Sequence, residues 1–270
     1  MRGMCGTQDL GTGTYTILTQ IIANTLNVST EQVRFDLGDT KLPEAPPSDG
    51  SSTAASAGSA VYLAAQDVRH QLIEKAIKDP ASTLHGLDAA EVMVEDGRCY
   101  AKGNPAQGET YADILQRHQM DCIEATSHAE SGAEKKQYSM YAFGAHFAEV
   151  QVNPYSGEVR VTRFVTGIAA GRILNAKTAR SQIIGGVVFG ISMALLEQTV
   201  VDERCGHIVN ADLGEYYVPV NTDIPTIDAF FVEEKDNHVN PIGVKGVGEI
   251  GIISSAAAVD AIASLFQFKS

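Results

Sequence analysis

Apolar residues Ile17, Leu18, Ile21, Ile22 and Leu26 recur every three to four positions across residues 14–27, which predicts an amphipathic helix. The period then changes. Val33, Phe35 and Leu37 alternate with polar neighbours in EQVRFDLGD and predict a strand. TKLPEAPPSDGSS is rich in Pro, Ser and Gly and reads as a loop. Helical spacing returns with Val61, Ala65, Val68, Leu72 and Ile73, in a long helix over 53–79.

Residues 80–137 are polar and weakly patterned. EVMVEDGRCYAKG predicts a hairpin about Asp96-Gly97, YADILQRH a short helix, and SHAESGAEKKQ an exposed loop. The next stretch, YAFGAHFAEVQVNPYSGEVRVTRFVTGIAAG, places two alternating strands about the turn NPYSG. In RILNAKTARSQIIGGVVFGISMALLEQ, Asn175 can cap a helix that becomes apolar all round, as a core helix does. HIVN, EYYVPV and TIDAFFVEE read as strands, and IGIISSAAAVDAIASLF as a closing helix. Helices alternate with strands, yet several connections are tight hairpins. The expected class is α+β, with mixed sheets packed with helices, rather than a doubly wound parallel sheet. The weakly patterned zone divides the chain into two similar-sized lobes, 1–137 and 138–270.

Composition narrows the function. A formal net charge of −13 and the lack of any basic run argue against a nucleic-acid surface. The longest apolar run, Ile183 to Leu196, is too short to span a bilayer and reads as a buried helix. MRGMCGTQDLGTG has no apolar signal-peptide core, so the expected location is the cytoplasm, with export alongside a signal-bearing partner subunit as the alternative. Cys5, Cys99, Cys122 and Cys205 are far apart and form no CxxC, and the histidines are scattered. That pattern suits reduced thiols and does not suit a metal held by side chains.

The candidate chemistry lies at helix starts. DLGTGTYT, GSSTAAS and GVKGVGEIG are turns of small residues opening helices, and Arg172 precedes a fourth helix start in GRILNAKT. Glycines let backbone N–H groups approach a ligand, and helix N-termini attract anions. Several such starts suggest a large phosphate-bearing ligand; each alone reads more simply as an ordinary helix-capping turn. None is a Walker A or GxGxxG motif. Glu249 stands inside the last of these turns. It is either a first-turn acid facing the helix dipole or a general base held by a rigid loop. Lys245 binds an anionic group or pairs with an acid. Glu233 and Glu234, beside Lys235 and Asp236, read as surface residues.

GTQDLGTGTYT, TAAS, GRILNAKTARSQIIGGVVFG and VNPIGVKGVGEIG occur in the order seen in the molybdenum hydroxylases. The chain resembles the molybdopterin-binding subunit of this xanthine dehydrogenase and aldehyde oxidase family, in its C-terminal part. The resemblance runs from Gly6 to about Ala263 and is weakest over 80–137. It implies a molybdenum–molybdopterin cofactor, in the cytosine dinucleotide form of many bacterial members, with the metal held by the pterin dithiolene. Gly11, Thr12 and Gly13 would line the cofactor through backbone N–H groups, and Ala54 and Ala55 would leave room beside the pterin. Some relatives have Gln where this chain has Thr12. Arg172, Ile173, Leu174, Asn175, Ala176, Lys177 and Thr178, with Gln182, would hold the nucleotide end. Lys245, Gly246, Val247 and Gly248 would wrap the cofactor near the metal.

Glu249 matches the family's catalytic glutamate, which takes the proton of a molybdenum-bound hydroxyl as its oxygen attacks an aldehyde or N-heterocycle carbon. The substrate's hydride passes to a sulfido ligand. Phe189 stands where some relatives carry a glutamine, which suits the aldehyde or isoquinoline oxidoreductase branch. The family's subunit is much longer. The resemblance therefore implies an N-terminal half, a 2Fe–2S subunit and an FAD subunit in some complexes, with iron–sulfur and FAD carried only by partners. The competing readings are a truncated, non-catalytic cofactor-binding or interaction fragment and a generic binder of phosphate ligands.

Overall fold

The computed structural model describes residues 1–130 and 132–267; Ser131, within the expected loop SHAESGAEKKQ, lies outside them. The chain divides into two compact units. Unit 1 is Met1–Ser139 with Asn237–Gly243, and unit 2 is Met140–Asp236 with Val244–Ser270.

In unit 1, β1 (Arg2–Cys5), α1 (Thr14–Leu26), β2 (Arg34–Leu37) and α2 (Thr53–Lys78) follow in order. β1 pairs with β2 in parallel, Gly3 opposite Phe35. Leu18, Ile21, Ile22 and Leu26 of α1 are buried, the face the spacing predicts. The antiparallel sheet β3 (Val92–Glu95), β4 (Arg98–Ala101) and β5 (Asn104–Thr110) leads into α3 (Tyr111–Arg117). Asp96 and Gly97 both have positive φ, the conformation a two-residue hairpin turn requires. Leu72, Ile73 and Ala76 of α2 close one core with Leu84, Val92, Val94, Cys99 and Ile114. The Arg117 guanidinium joins that core's edge to Glu109 and Asp79.

Unit 2 is built on β6 (Phe143–Val152) and β7 (Val159–Ala169), a long antiparallel hairpin. Its turn closes on Asn153, whose side chain accepts from the Tyr155 and Ser156 amides. α4 (Ala176–Leu195) follows, then the two-residue strands β8 (Val201–Asp202) and β9 (His207–Ile208), β10 (Thr226–Phe231), α5 (Ile250–Ile253) and α6 (Ser255–Gln267). β10 pairs in parallel with β7, giving the order β10-β7-β6, a mixed sheet. Val161 and Phe164 of that sheet pack with Val187 and Ile191 of α4 and Val259 of α6.

Several expectations need correction. EYYVPV is not a strand; it lies in an irregular, mostly exposed stretch. Among the described residues no strand pairs with it. The closing helix is two helices, broken at Ser254. β1 and β5 carry too short or too polar a pattern to predict. α4 is not buried all round: Ile183, Val187 and Ile191 are buried, while Phe189 and Met193 are 62% and 56% exposed. At 20 residues α4 is longer than the apolar run within it, and by length and composition alone it could cross a bilayer. Its buried face instead packs on the sheet of its own unit.

Candidate functional site

In unit 1 the first candidate turn follows β1. Gly11 and Gly13 have φ of 92° and 90°, which glycine adopts without strain, and α1 begins at Thr14. A Cβ on Gly11 would meet nothing within 4 Å, so the backbone there is open. The turn's amides are already engaged. Asp9 accepts from the Gly11 and Gly13 amides through Oδ1 at 2.9 and 3.2 Å, and from the Tyr15 amide through Oδ2 at 3.1 Å. Burial works against the Asp9 charge, but these backbone donors outweigh it and hold the carboxyl below the usual aspartate range. The Gly11 and Gly13 amides are thus held by Asp9 within the turn. Exposed Thr12 bonds its hydroxyl to that of Thr14. Ala54 and Ala55 lie half-buried in the first turn of α2.

In unit 2 the Asn175 side chain caps α4, accepting from the Thr178 amide at 3.0 Å. Arg172, Ala176 and Lys177 are exposed around this helix start, while Leu174, Thr178 and Gln182 are half-buried. Two cations beside the positive end of a 20-residue helix suit an anionic group. Ile173 faces inward onto Ile168, Ala170 and Ile183, and Val247 and Ile250 pack on the same cluster. Their side chains anchor the backbone on either side of Gly248 and Glu249.

Further contacts fix the loop carrying Glu249. Val244 bridges Gly171, and the Lys245 amide donates to the Ala170 carbonyl at 3.0 Å. The Lys245 side chain is only 6% exposed; its Nζ lies 2.6 Å from Glu234 Oε1 and 3.0 Å from Asp236 Oδ2. Of the two readings of Lys245, pairing with acids is the one observed. The reading of Glu234 as a plain surface residue is corrected too, since its other oxygen accepts the Gly171 amide at 2.7 Å. The Lys245 hydrogen bond, first, holds Glu234 below the ordinary glutamate range despite burial. No local pattern could show this cluster; it forms because β10 runs beside β7. Asp9 was passed over as well, although an Asp two and four residues before glycines is an Asx-type signal that could have marked it.

Glu249 occupies the cap position of α5, is exposed, and makes no capping hydrogen bond with its side chain. Its side chain is thus presented outward from the start of α5 without serving as a hydrogen-bonding cap. Phe189 is exposed on α4. Among the described residues no three His, Cys, Asp or Glu side chains converge as metal ligands.

The family model described as a molybdopterin cofactor-binding domain matches residues 2–225, and the chain belongs to that family. It is 38% identical over 251 residues to the aldehyde oxidoreductase molybdenum-binding subunit PaoC of Escherichia coli, covering 93% of this chain and 32% of that one. It is 32% identical over 260 residues to the 6-hydroxypseudooxynicotine dehydrogenase complex subunit gamma of Paenarthrobacter nicotinovorans, covering 94% and 32%. Quinoline 2-oxidoreductase from Pseudomonas putida 86 superposes with a TM-score of 0.83 at 28% identity, covering 96% of this chain and 33% of that one. The chain thus spans about a third of the length of the relatives it matches. The fold is the α+β molybdenum-binding domain fold, with the mixed sheets and helices that the sequence predicts. The Glu249 loop lies beyond the residues matched by the family model.

Proposed function

We propose that this chain is the part of a molybdenum hydroxylase subunit that holds the anionic end of a molybdopterin cofactor and supplies the catalytic base. The observation that carries the reading is Glu249: an exposed carboxylate, unused as a cap, on a loop anchored by Val247, Ile250 and Lys245. A general base needs that combination of access and fixed position.

The α4 start fits the phosphate-bearing end of such a cofactor, with Arg172 and Lys177 as cations beside the positive end of the helix. A cytosine dinucleotide form, whose added phosphate needs such a second anion site, is the form we propose. At the unit 1 turn the exposed backbone of Gly11 and Thr12, with Ala54 and Ala55, are the candidate contacts. Gly246 and Gly248 allow close approach of a bulky group to the backbone before Glu249.

When bound, the cofactor supplies the two-electron chemistry. Glu249 takes one proton onto a carboxylate oxygen as a water-derived oxygen is transferred to the substrate carbon. Lys245 serves the loop and not the ligand, because two carboxylates already neutralise it. Aldehydes or N-heterocycles are the proposed substrates, in keeping with the names of the relatives. The remaining two-thirds of the subunit and iron–sulfur and flavin subunits are the proposed partners.

Metal analysis tests the reading. Coexpressed with the rest of a molybdenum subunit, the assembled protein should carry close to one molybdenum and one pterin per chain. Assembly without molybdenum would instead favour a non-catalytic domain.

A further inference from the structure

The Glu234–Lys245–Asp236 cluster sits where two candidate segments meet within unit 2. Glu234, just past β10, has one oxygen on the Gly171 amide and the other on Lys245 Nζ. Gly171 directly precedes Arg172 and lies five residues before α4 begins at Ala176, and Lys245 lies four residues before Glu249. One carboxylate therefore couples the α4 entry turn to the loop of the proposed base. Asp236 supplies a second acid to the same ammonium.

Backbone contacts run in parallel with these charges. Val244 bridges Gly171, and the Lys245 amide meets Ala170. The cluster also has a topological role. The chain leaves unit 2 after Asp236 and returns at Val244, so the Lys245–Asp236 pair joins exit and re-entry. A buried lysine side chain whose ammonium is shared by two acids is a strong tie, since charge-assisted hydrogen bonds are shorter and stronger than neutral ones.

We propose that Glu234 is a positioning residue, acting through Lys245 and the Gly171 amide to hold Glu249 and the α4 entry turn in a fixed relation. This rests on the assignment of Glu249 as base. Both Glu234 oxygens are already engaged, so Glu234 itself is not proposed to touch substrate or cofactor. Its contribution is the alignment of a group that does, and small misplacements of a base are costly.

Glu234→Gln keeps the side chain's shape and an acceptor for Gly171 but removes its charge. Amide hydrogen exchange on the 270-residue chain reads the tie without any cofactor. The amides of Gly171 and Lys245, bonded to Glu234 and Ala170, should exchange roughly tenfold faster, while those of β3 to β5 stay unchanged. In the assembled enzyme, Glu234→Gln and Lys245→Met should each lower kcat about tenfold or more at unchanged KM and unchanged cofactor content. The double variant should be little worse than either single, because one tie is broken in all three. Unchanged exchange at Gly171 and Lys245 overturns the proposal. So does a parallel loss of cofactor, or a fully additive double variant. Failure of the base reading is separate: it shows as turnover retained in Glu249→Gln while loop exchange still responds to Glu234→Gln.

Discussion

Gly186 of α4 lies directly against Gly251 of α5: a Cβ built on Gly186 would stand 2.7 Å from the Gly251 carbonyl carbon. The reverse is equally tight, with a Cβ on Gly251 only 2.5 Å from the Ile183 carbonyl oxygen. Gly251 is two residues past Glu249, so this backbone contact sets how far the proposed base stands from α4.

Gly251→Ala therefore pushes α5 away from α4. Overpacking of this kind costs about 1–3 kcal/mol. The thermal midpoint should fall by several degrees, and turnover in the assembled enzyme should fall further than folding alone explains. Gly11→Ala is an instructive contrast: there is open space, but a φ of 92° strains any side chain, so it tests backbone conformation and not packing.

Helices and hairpins were legible in the sequence because their information is local. The α1 and α2 stripes, the Asp96-Gly97 turn, the NPYSG hairpin and the Asn175 cap all appear as read. Parallel pairings were not legible: β1 joins β2 across about thirty residues and β7 joins β10 across about sixty, with nothing local to mark the partner. For the same reason Glu234 and Asp236 looked like surface acids. Their role depends on which strand β10 lies beside.

Asp9 gives the unit 1 turn a pH dependence. Its carboxyl titrates below the ordinary aspartate value of 3.8, so its stabilisation is fully present above that value and is lost as pH falls through its lowered value. Exchange of the Gly11, Gly13 and Tyr15 amides, followed in acid, should rise on this limb. In Asp9→Asn the same amides should exchange faster at neutral pH and lose the acid limb.

The thiols should separate into two pairs. Burial, with the Glu109 charge adding to it, pushes the Cys99 thiol up to about 12, and Cys5 is buried as well. Cys122 and Cys205 are exposed. Iodoacetamide at pH 8 should label two sites per folded chain, identified by mass spectrometry as Cys122 and Cys205. Cys5 and Cys99 should react only after denaturation, since the thiolate is the nucleophile.

Asn175→Ala removes the Thr178 cap of α4 and should cost about 1 kcal/mol by denaturant titration. Asn175→Asp restores an acceptor but adds a negative charge beside Arg172 and Lys177. It should recover the stability while weakening retention of an anionic cofactor in the assembled enzyme. Equal cofactor content in both variants would remove the α4 start from the anion site.

The central claim is that Glu249 is the proton acceptor of a molybdenum hydroxylase. It is tested most directly by turnover of Glu249→Gln in the fully assembled enzyme, with molybdenum and pterin content measured on the same sample. Unaltered cofactor content is expected, with a loss of kcat of roughly 10²–10⁴-fold, the usual contribution of a positioned base. Turnover within a few-fold of the unsubstituted enzyme, at equal cofactor content, would contradict it.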